Sequence, residues 1–557
     1  MKKIIKTFIS LVCLVSLTIG CIQEIDPQNS SVTVNQAASA PGSYDNFVNA
    51  ITNSLTGSFT YGGESNKYPW DFGYPSFYLQ RDVMGNDFAC ESSESEWYTT
   101  WYACDTGLGP EYAVCQVPWT YYYKWIKNCN TVLTMYNANP DESKKVGAGI
   151  AYAMRAMFFM DLARMYSDKT YGEDKSALTV PYISEKTLPS DCVHNPRATN
   201  EVIFGHIIDD LNLAEEYLAN YTRPDKYVPD QSVVYGLKAR AYLTMEDWAN
   251  AEKYAKLAQN GYTEMTAAEY TNQQNGFNTP NDAWMFGMTY KSDDKNITVN
   301  DGDSSWGSQM IIEVSESGCG YAANYVGPKR IDAHLFSTIP ETDFRRMCWV
   351  DFAIDNLGSK EAKIEALEKY SDAPEGLYNT GYSVAATKYV GGMPVKFRPK
   401  NGEHKDQYAA FTVAVPIMRV EEMKLIEIEA AGMQDEGRGK TLLIDFAKKR
   451  DPNFEYGTHK DAYYATRANS FQLECWWQRR VEFWGEGFAT FDIKRYGAGI
   501  IRSYAGTNHP EGNRWNETKT PQWMTLCFVG TESNYNVDLV QNPTPIKPTE
   551  DSKEFVW

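Results

Sequence analysis

Glu482, Glu486 and Asp492 place three carboxylates in one short stretch, Gln478–Tyr496, among Arg479, Arg480 and Arg495. Two carboxyl groups several ångströms apart are all that glycoside hydrolysis requires: one protonates the leaving oxygen while the other attacks or activates water. The same residues have a competing use. Arg479 and Glu482 are three apart, as are Asp492 and Arg495, so each pair can meet on one helix face. Partly buried charges are expected to be paired, and Phe483, Trp484, Phe488 and Phe491 supply apolar surface to bury them. Ion pairing inside helix packing is the preferred reading.

Other catalytic patterns are weaker. Arg438-Gly439-Lys440-Thr441 ends like a phosphate-binding loop, but Gln434 holds the place of its first glycine and a helical pattern precedes it. Gly485-x-Gly487 lacks both a third glycine at the right spacing and a preceding strand. The six histidines are scattered, with neither a zinc-binding HExxH nor a nucleophile elbow. Asp293-Asp294 and Asp301-Gly302-Asp303 do not match an EF-hand loop and read as a solvated turn. No catalytic residue, cofactor or metal ligand is assigned.

Binding is the better-supported chemistry. A sugar ring has an apolar C–H face and a hydroxyl rim, so its recognition wants an aromatic platform beside amides or charges. Aromatics make up 14% of the chain, including 38 Tyr and 15 Trp. In stretches without helical or strand period, Trp97, Tyr98, Trp101 and Tyr102 cluster, and Trp306, Tyr321, Asn324 and Tyr325 follow later. These eight are the candidate ligand-binding residues. Trp119, Trp125, Trp248 and Trp484 lie on helical patterns and are expected in the core.

The net charge is −19 over 557 residues, and loss of Lys2, Lys3 and Lys6 with a leader lowers it to −22. That acidity argues against nucleic acid, which needs Lys and Arg to displace counterions. Met1–Lys6 is basic and Phe8–Ile19 apolar, the form of an export signal. Leu17-Thr18-Ile19-Gly20-Cys21 resembles a bacterial lipobox, although Thr18 stands where Leu is usual. Residues 1–20 are therefore expected to be a lipoprotein signal peptide, with lipidated Cys21 opening a flexible tether over 21–42. No other run reads as a membrane span. Eleven cysteines, among them the crowded Cys90, Cys104, Cys115 and Cys129, match no zinc spacing and leave disulfides open.

Positioning elements come next. Residues 61–116 read as long ordered loops. Helical periodicity marks Trp119–Met135, Lys144–Tyr166 and a segment opened by Thr199-Asn200-Glu201. Ser232–Met245 and Trp248–Ala258 form a pair broken only at Glu246-Asp247, with Ala239, Ala241, Ala251, Ala255 and Ala258 permitting close approach. That is a tetratricopeptide pattern, which needs further units to bury its face. Helices return at Val420–Met433, Thr441–Arg450 and Ser470–Trp484, after a loop-rich middle with some short strands.

Several of these residues carry a family resemblance. Ala153-Met154-Arg155-Ala156-Met157-Phe158-Phe159 with Leu162 and Val180-Pro181, the Leu237–Ala255 pair, Thr342-Asp343-Phe344-Arg345-Arg346 and the Pro416–Ala430 helix occur in order. With the closing Arg479–Tyr496 stretch they resemble the SusD/RagB outer-membrane lipoproteins. Ala489 and Tyr496 depart from the usual Arg and Trp, and the Leu442–Arg450 helix is only loosely similar. The resemblance implies a mostly α, SusD-like fold: tetratricopeptide-type helix pairs in a superhelical scaffold with a loop-rich face and a few short strands. It implies one domain over 43–557, made of a repeat-rich part (43–264), a loop-rich insertion (265–415) and a C-terminal helical part (416–557). It further implies a cell-surface protein on the outer membrane that passes an oligosaccharide or polysaccharide to a SusC-type TonB-dependent transporter, without covalent chemistry. A secreted glycan-degrading enzyme, a peptide-binding member of the family and a protein-binding repeat scaffold are the alternatives.

Overall fold

The computed structural model describes residues 40–557 except 41, 59, 62–63, 66–67, 91–97, 105, 300–301, 315–319, 326, 384–387, 460, 547 and 549–551. The leader, Cys21 and Trp97 lie outside the described residues.

Helices dominate. The N-terminal half contains α1 (Ser43–Asn53), α2 (Ser76–Val83), α3 (Ala113–Ala138), α4 (Lys145–Tyr166), α5 (Asn200–Tyr217), α6 (Gln231–Met245) and α7 (Trp248–Ala258). The middle contributes strand β1 (Trp284–Thr289), the short helix α8 (Trp306–Met310), α9 (Lys360–Leu367), α10 (Pro374–Ser383) and strand β2 (Ala414–Arg419). The C-terminal half adds α11 (Val420–Gln434), α12 (Glu436–Lys448), α13 (Ser470–Glu482) and α14 (Ala489–Tyr496).

Local chemistry sets the helix ends. Thr199, Asp230 and Asp247 accept from backbone N–H groups in the first turns of α5, α6 and α7, and Asn469 with Gln472 forms a capping box on α13. Glu246 takes the left-handed conformation (φ 57°) that turns α6 into α7. Helix α3 starts earlier than its periodicity suggests, at Ala113, and runs through Pro118. Helix α2 was expected as loop. All eight of its residues are buried, so no polar face exists to betray the helical period. Glu142–Tyr166 passes as a membrane span by length and composition, contrary to the sequence expectation, but 94% of its most apolar window is buried inside the protein.

Successive helices stack as antiparallel neighbours: α3 on α4, α4 on α5, α5 on α6 and α6 on α7. The next layer comes from far along the chain, because α7 packs against α11, which in turn holds α12 and α13. Buried arginines from the repeat motifs fasten the layers. Arg155 donates twice to Asp210, at 2.8 and 2.8 Å, and also to Glu185 at 2.6 Å. Arg240 on α6 makes the same fork with Glu422 on α11, at 2.6 and 2.6 Å.

The loop-rich middle leaves and returns through one gate. Strands β1 and β2 pair antiparallel, Trp284 opposite Arg419 and Thr289 opposite Ala414, with a bulge around Phe286. The insertion is thus clamped at its base, and β2 delivers Arg419 into the core. Beyond residue 505 the chain lies on the helical body: Leu526 N–H donates to Met165 O, and Phe528 packs edge-on to Trp119. No disulfide forms among the described residues; Cys115 and Cys129 are buried thiols.

Gly439, in the stretch that only ends like a phosphate-binding loop, has a packing role. Gly439 lies within α12, and a Cβ there would stand 2.2 Å from Gly432 Cα on α11 and 2.8 Å from Phe471 on α13. Three helices meet at that point. Gly439→Ala is expected to cost about 1–3 kcal/mol by overpacking, read as a lower urea midpoint with an unchanged slope; an unaltered midpoint would show that these helices do not touch as described.

Candidate functional site

The C-terminal carboxylates are buried and paired, only partly as their spacing suggests. Glu482 faces Arg345 (3.2 Å), Arg419 (3.2 Å) and Arg450 (3.4 Å), and its side chain is 0% exposed. Glu486 accepts from Lys396 at 2.7 Å and from Arg419 at 2.9 Å. Arg479, expected beside Glu482, instead donates to Asp492 at 2.7 Å. Asp492 does meet Arg495 at 3.2 Å, while Arg480 pairs with Asp87 and Arg495 with Glu429. Arg345 is also forked onto Asp343, and Glu421 lies 2.8 Å from Arg419.

Burial alone would raise these carboxyls. For Glu482 the surrounding Arg450, Arg419, Arg345 and Lys396 outweigh it and hold the group well below its ordinary value. Arg419 and Lys396 do the same for Glu486, and Arg479 and Arg495 for Asp492. Glu421 moves the other way, raised by burial and by the negative charge of Glu482 beside it. The adjoining narrow pocket, walled by Arg240, Arg479, Asp492 and Arg495 and reaching exposed Lys169, measures about 30 Å³. That is room for a water or two, not for a sugar. These carboxylates have neither access nor a free oxygen to offer a glycosidic bond.

The candidate aromatics separate into a floor and a rim. Tyr98, Trp101, Tyr102 and Trp306 are all buried. Tyr98 and Trp101 pack at 5.3 Å, Trp70 meets Trp101 edge-on at 6.0 Å, and half-buried Tyr68 stacks on Trp70 at 4.6 Å. Tyr102 bonds His509 at 2.5 Å and lies under Arg502. Trp306 is wedged edge-on between Tyr78 and Phe397. All four rings are packed inside the protein, with no face left open at the surface.

Tyr321, Asn324 and Tyr325 reach the surface on a single wide helical turn, with Tyr325 49% exposed and its ring 5.4 Å from that of Tyr321. The floor positions this rim. Ser308 on α8 accepts from Tyr321 N–H at 2.9 Å, and its neighbour Gln309 accepts from Lys329, whose ammonium stands 5.2 Å from the Tyr98 ring. The adjacent Arg330 lies 4.3 Å from the ring of Tyr389. Tyr389 lines an open groove of about 800 Å³ with Phe336, Phe352, Arg346, Asp351 and Asn508. Sequence reasoning missed this groove, because its lining comes from segments far apart in the chain. It combines aromatic faces with polar edges, as sugar recognition requires.

Comparison with known proteins fits this architecture. Residues 76–243 match a SusD-like family model described as starch-binding and associating with the outer membrane. No curated protein sequence matches the chain. Among solved structures, a SusD-like carbohydrate binding protein from Bacteroides vulgatus is similar over 89% of this chain and 97% of its own, with 21% identity and a TM-score of 0.67. A SusD superfamily protein from Bacteroides thetaiotaomicron has 18% identity and a TM-score of 0.66, covering 92% of this chain and 100% of its own. Surface glycan-binding protein A from the same organism, solved with laminarihexaose, has 17% identity and a TM-score of 0.61 over 90% and 98% of the two chains.

Depressed carboxyls contribute stability above their unfolded pKa and lose it as pH falls through their folded values. Acid should therefore weaken the fold below about pH 4.5, the ordinary glutamate range. Glu482→Gln is expected to cost about 3–5 kcal/mol at neutral pH, because three arginines lose a buried partner. It should also flatten the fall in urea midpoint between about pH 5 and 3. An equally steep fall in the variant would remove Glu482 from the account.

Proposed function

We propose a function for this chain from one premise: it is SusD-like in fold over nearly its whole length, and SusD-like in sequence over residues 76–243. It is a surface glycan-binding protein of the outer membrane, held by lipid on Cys21 and extended on the 21–42 tether. It captures an oligosaccharide or polysaccharide and hands it to a SusC-type TonB-dependent transporter. The family match, to starch-binding proteins associating with the outer membrane, is the observation that carries this reading. A structural neighbour's complex with laminarihexaose supports a glucan-class ligand.

The ligand face is the surface turn of Tyr321, Asn324 and Tyr325, close to buried Trp306 and Tyr98; Trp97, also a candidate from the sequence, lies outside the described residues. Ring faces would stack on sugar C–H surfaces while the amide and phenol groups meet hydroxyls. The chain does no covalent chemistry in this scheme: its most crowded carboxylates are saturated by arginine and lysine. Binding and release, not bond cleavage, perform the work.

Native gels cast with starch, laminarin, or other plant, host and microbial polysaccharides test this directly. Retarded migration in at least one gel, with no new reducing ends after incubation, is the expected result. Release of reducing sugar would overturn the non-enzymatic reading, and unretarded migration in every gel would overturn glycan capture. Tyr325→Ala combined with Tyr321→Ala should weaken the retained glycan by about 1–3 kcal/mol per lost stacking contact, a magnitude borrowed from base–aromatic stacking. Unchanged retardation in that double variant would move the ligand elsewhere, with the Phe336–Phe352–Tyr389 groove as the next surface to mutate.

A further inference from the structure

Three segments of the loop-rich middle converge away from the arginine network. Glu313 follows α8, Asp372 lies in the turn between α9 and α10, and His404 lies in the loop after Arg398. One ligand atom from each falls within 4.8 Å of the other two. Glu313 is 1% exposed. Its Oε1 accepts from Arg398 Nη1 at 2.9 Å and from Ser371 Oγ, while its Oε2 is buried with no donor among the described residues. His404 shares Nε2 with Asp372 Oδ1 at 2.7 Å, and its Nδ1 is buried with no partner among the described residues.

A buried carboxylate oxygen and a buried ring nitrogen, both lacking donors, are costly unless something positive meets them. Arg398 meets only the other oxygen, Oε1, and its second arm donates to Tyr370 O at 2.8 Å, so Oε2 is left unmet. From this convergence we infer that Glu313, Asp372 and His404 form a site for one divalent transition-metal cation of the zinc class. The mixed nitrogen and oxygen donors select such an ion over Ca²⁺ or Mg²⁺, which prefer all-oxygen shells. Three protein ligands leave a position for water, and the Asp372 side chain, 43% exposed, provides the route in.

The ion would add one more tie among three segments that the Ser371–Glu313, Arg398–Glu313 and His404–Asp372 bonds already bring together. Helices α8 and α10 also pack against the Tyr321–Tyr325 turn. A bound metal therefore braces the framework from which the surface tyrosines project. This inference stands on the donor geometry alone and does not depend on the glycan reading.

The test uses the mature chain without a polyhistidine tag, stripped by chelator and dialysed. Calorimetric titration with Zn²⁺ should give one equivalent bound, and Co²⁺ should develop visible absorption on the same protein. The thermal midpoint should rise with Zn²⁺ and not with Ca²⁺ or Mg²⁺. His404→Gln and Asp372→Asn alter surface turns and should keep the fold while weakening Zn²⁺ by about tenfold or more. His194→Gln, which removes an exposed histidine paired with Asp538, should leave binding unchanged. No Zn²⁺ binding by the parent protein, or binding undiminished in both His404→Gln and Asp372→Asn, would overturn the site and mark any ion seen as adventitious only. An equal response to Ca²⁺ would overturn the zinc-class assignment.

Discussion

Arg419 is the residue on which the rest of the structure depends. It ends strand β2, so it stands where the loop-rich insertion rejoins the helical stack. Its guanidinium meets Glu421, Glu482 and Glu486, all buried. Arg345 from the insertion and Arg450 from the segment after α12 reach the same Glu482. Removing so many charges from water costs several kcal/mol for each ion, and only mutual pairing offsets it. The network is consequently a device for registry more than for raw stability: the chain can close only when the insertion, α11 and the end of α13 arrive together.

That constraint separates scaffold from site. The helix layers are fixed by forks such as Arg155–Asp210 and Arg240–Glu422, and the aromatic floor under Tyr321 is fixed by dense ring packing. A surface held this firmly meets a ligand with little ordering cost, which favours affinity.

How much of this was legible in the sequence follows from distance along the chain. The α6–α7 hairpin is written locally: alanines set the close approach, and Glu246-Asp247 carries both the turn and the next cap. Helix α2 was not legible, since a segment buried on every side has no period to read. The carboxylate cluster was seen as ion pairing, yet most partners were misassigned. Asp87, Glu429, Arg345, Arg419 and Arg450 lie far from residues 479–495, and spacing rules reach only one helical turn. Aromatic clustering could not tell buried rings from surface ones. Tyr98, Trp101, Tyr102 and Trp306 resemble Tyr321 and Tyr325 in type, and only burial distinguishes them.

In the proposed function, ligand binding belongs to the loop-rich face while the 478–496 stretch only holds it in place. Hydrogen exchange with and without saturating glycan, using whichever polysaccharide the protein retains, reads this most directly. The account predicts slowed exchange in the segments around 98–104 and 306–325, with amides of α13 and α14 unchanged. Protection concentrated at 470–496, with the rim unaffected, would contradict it.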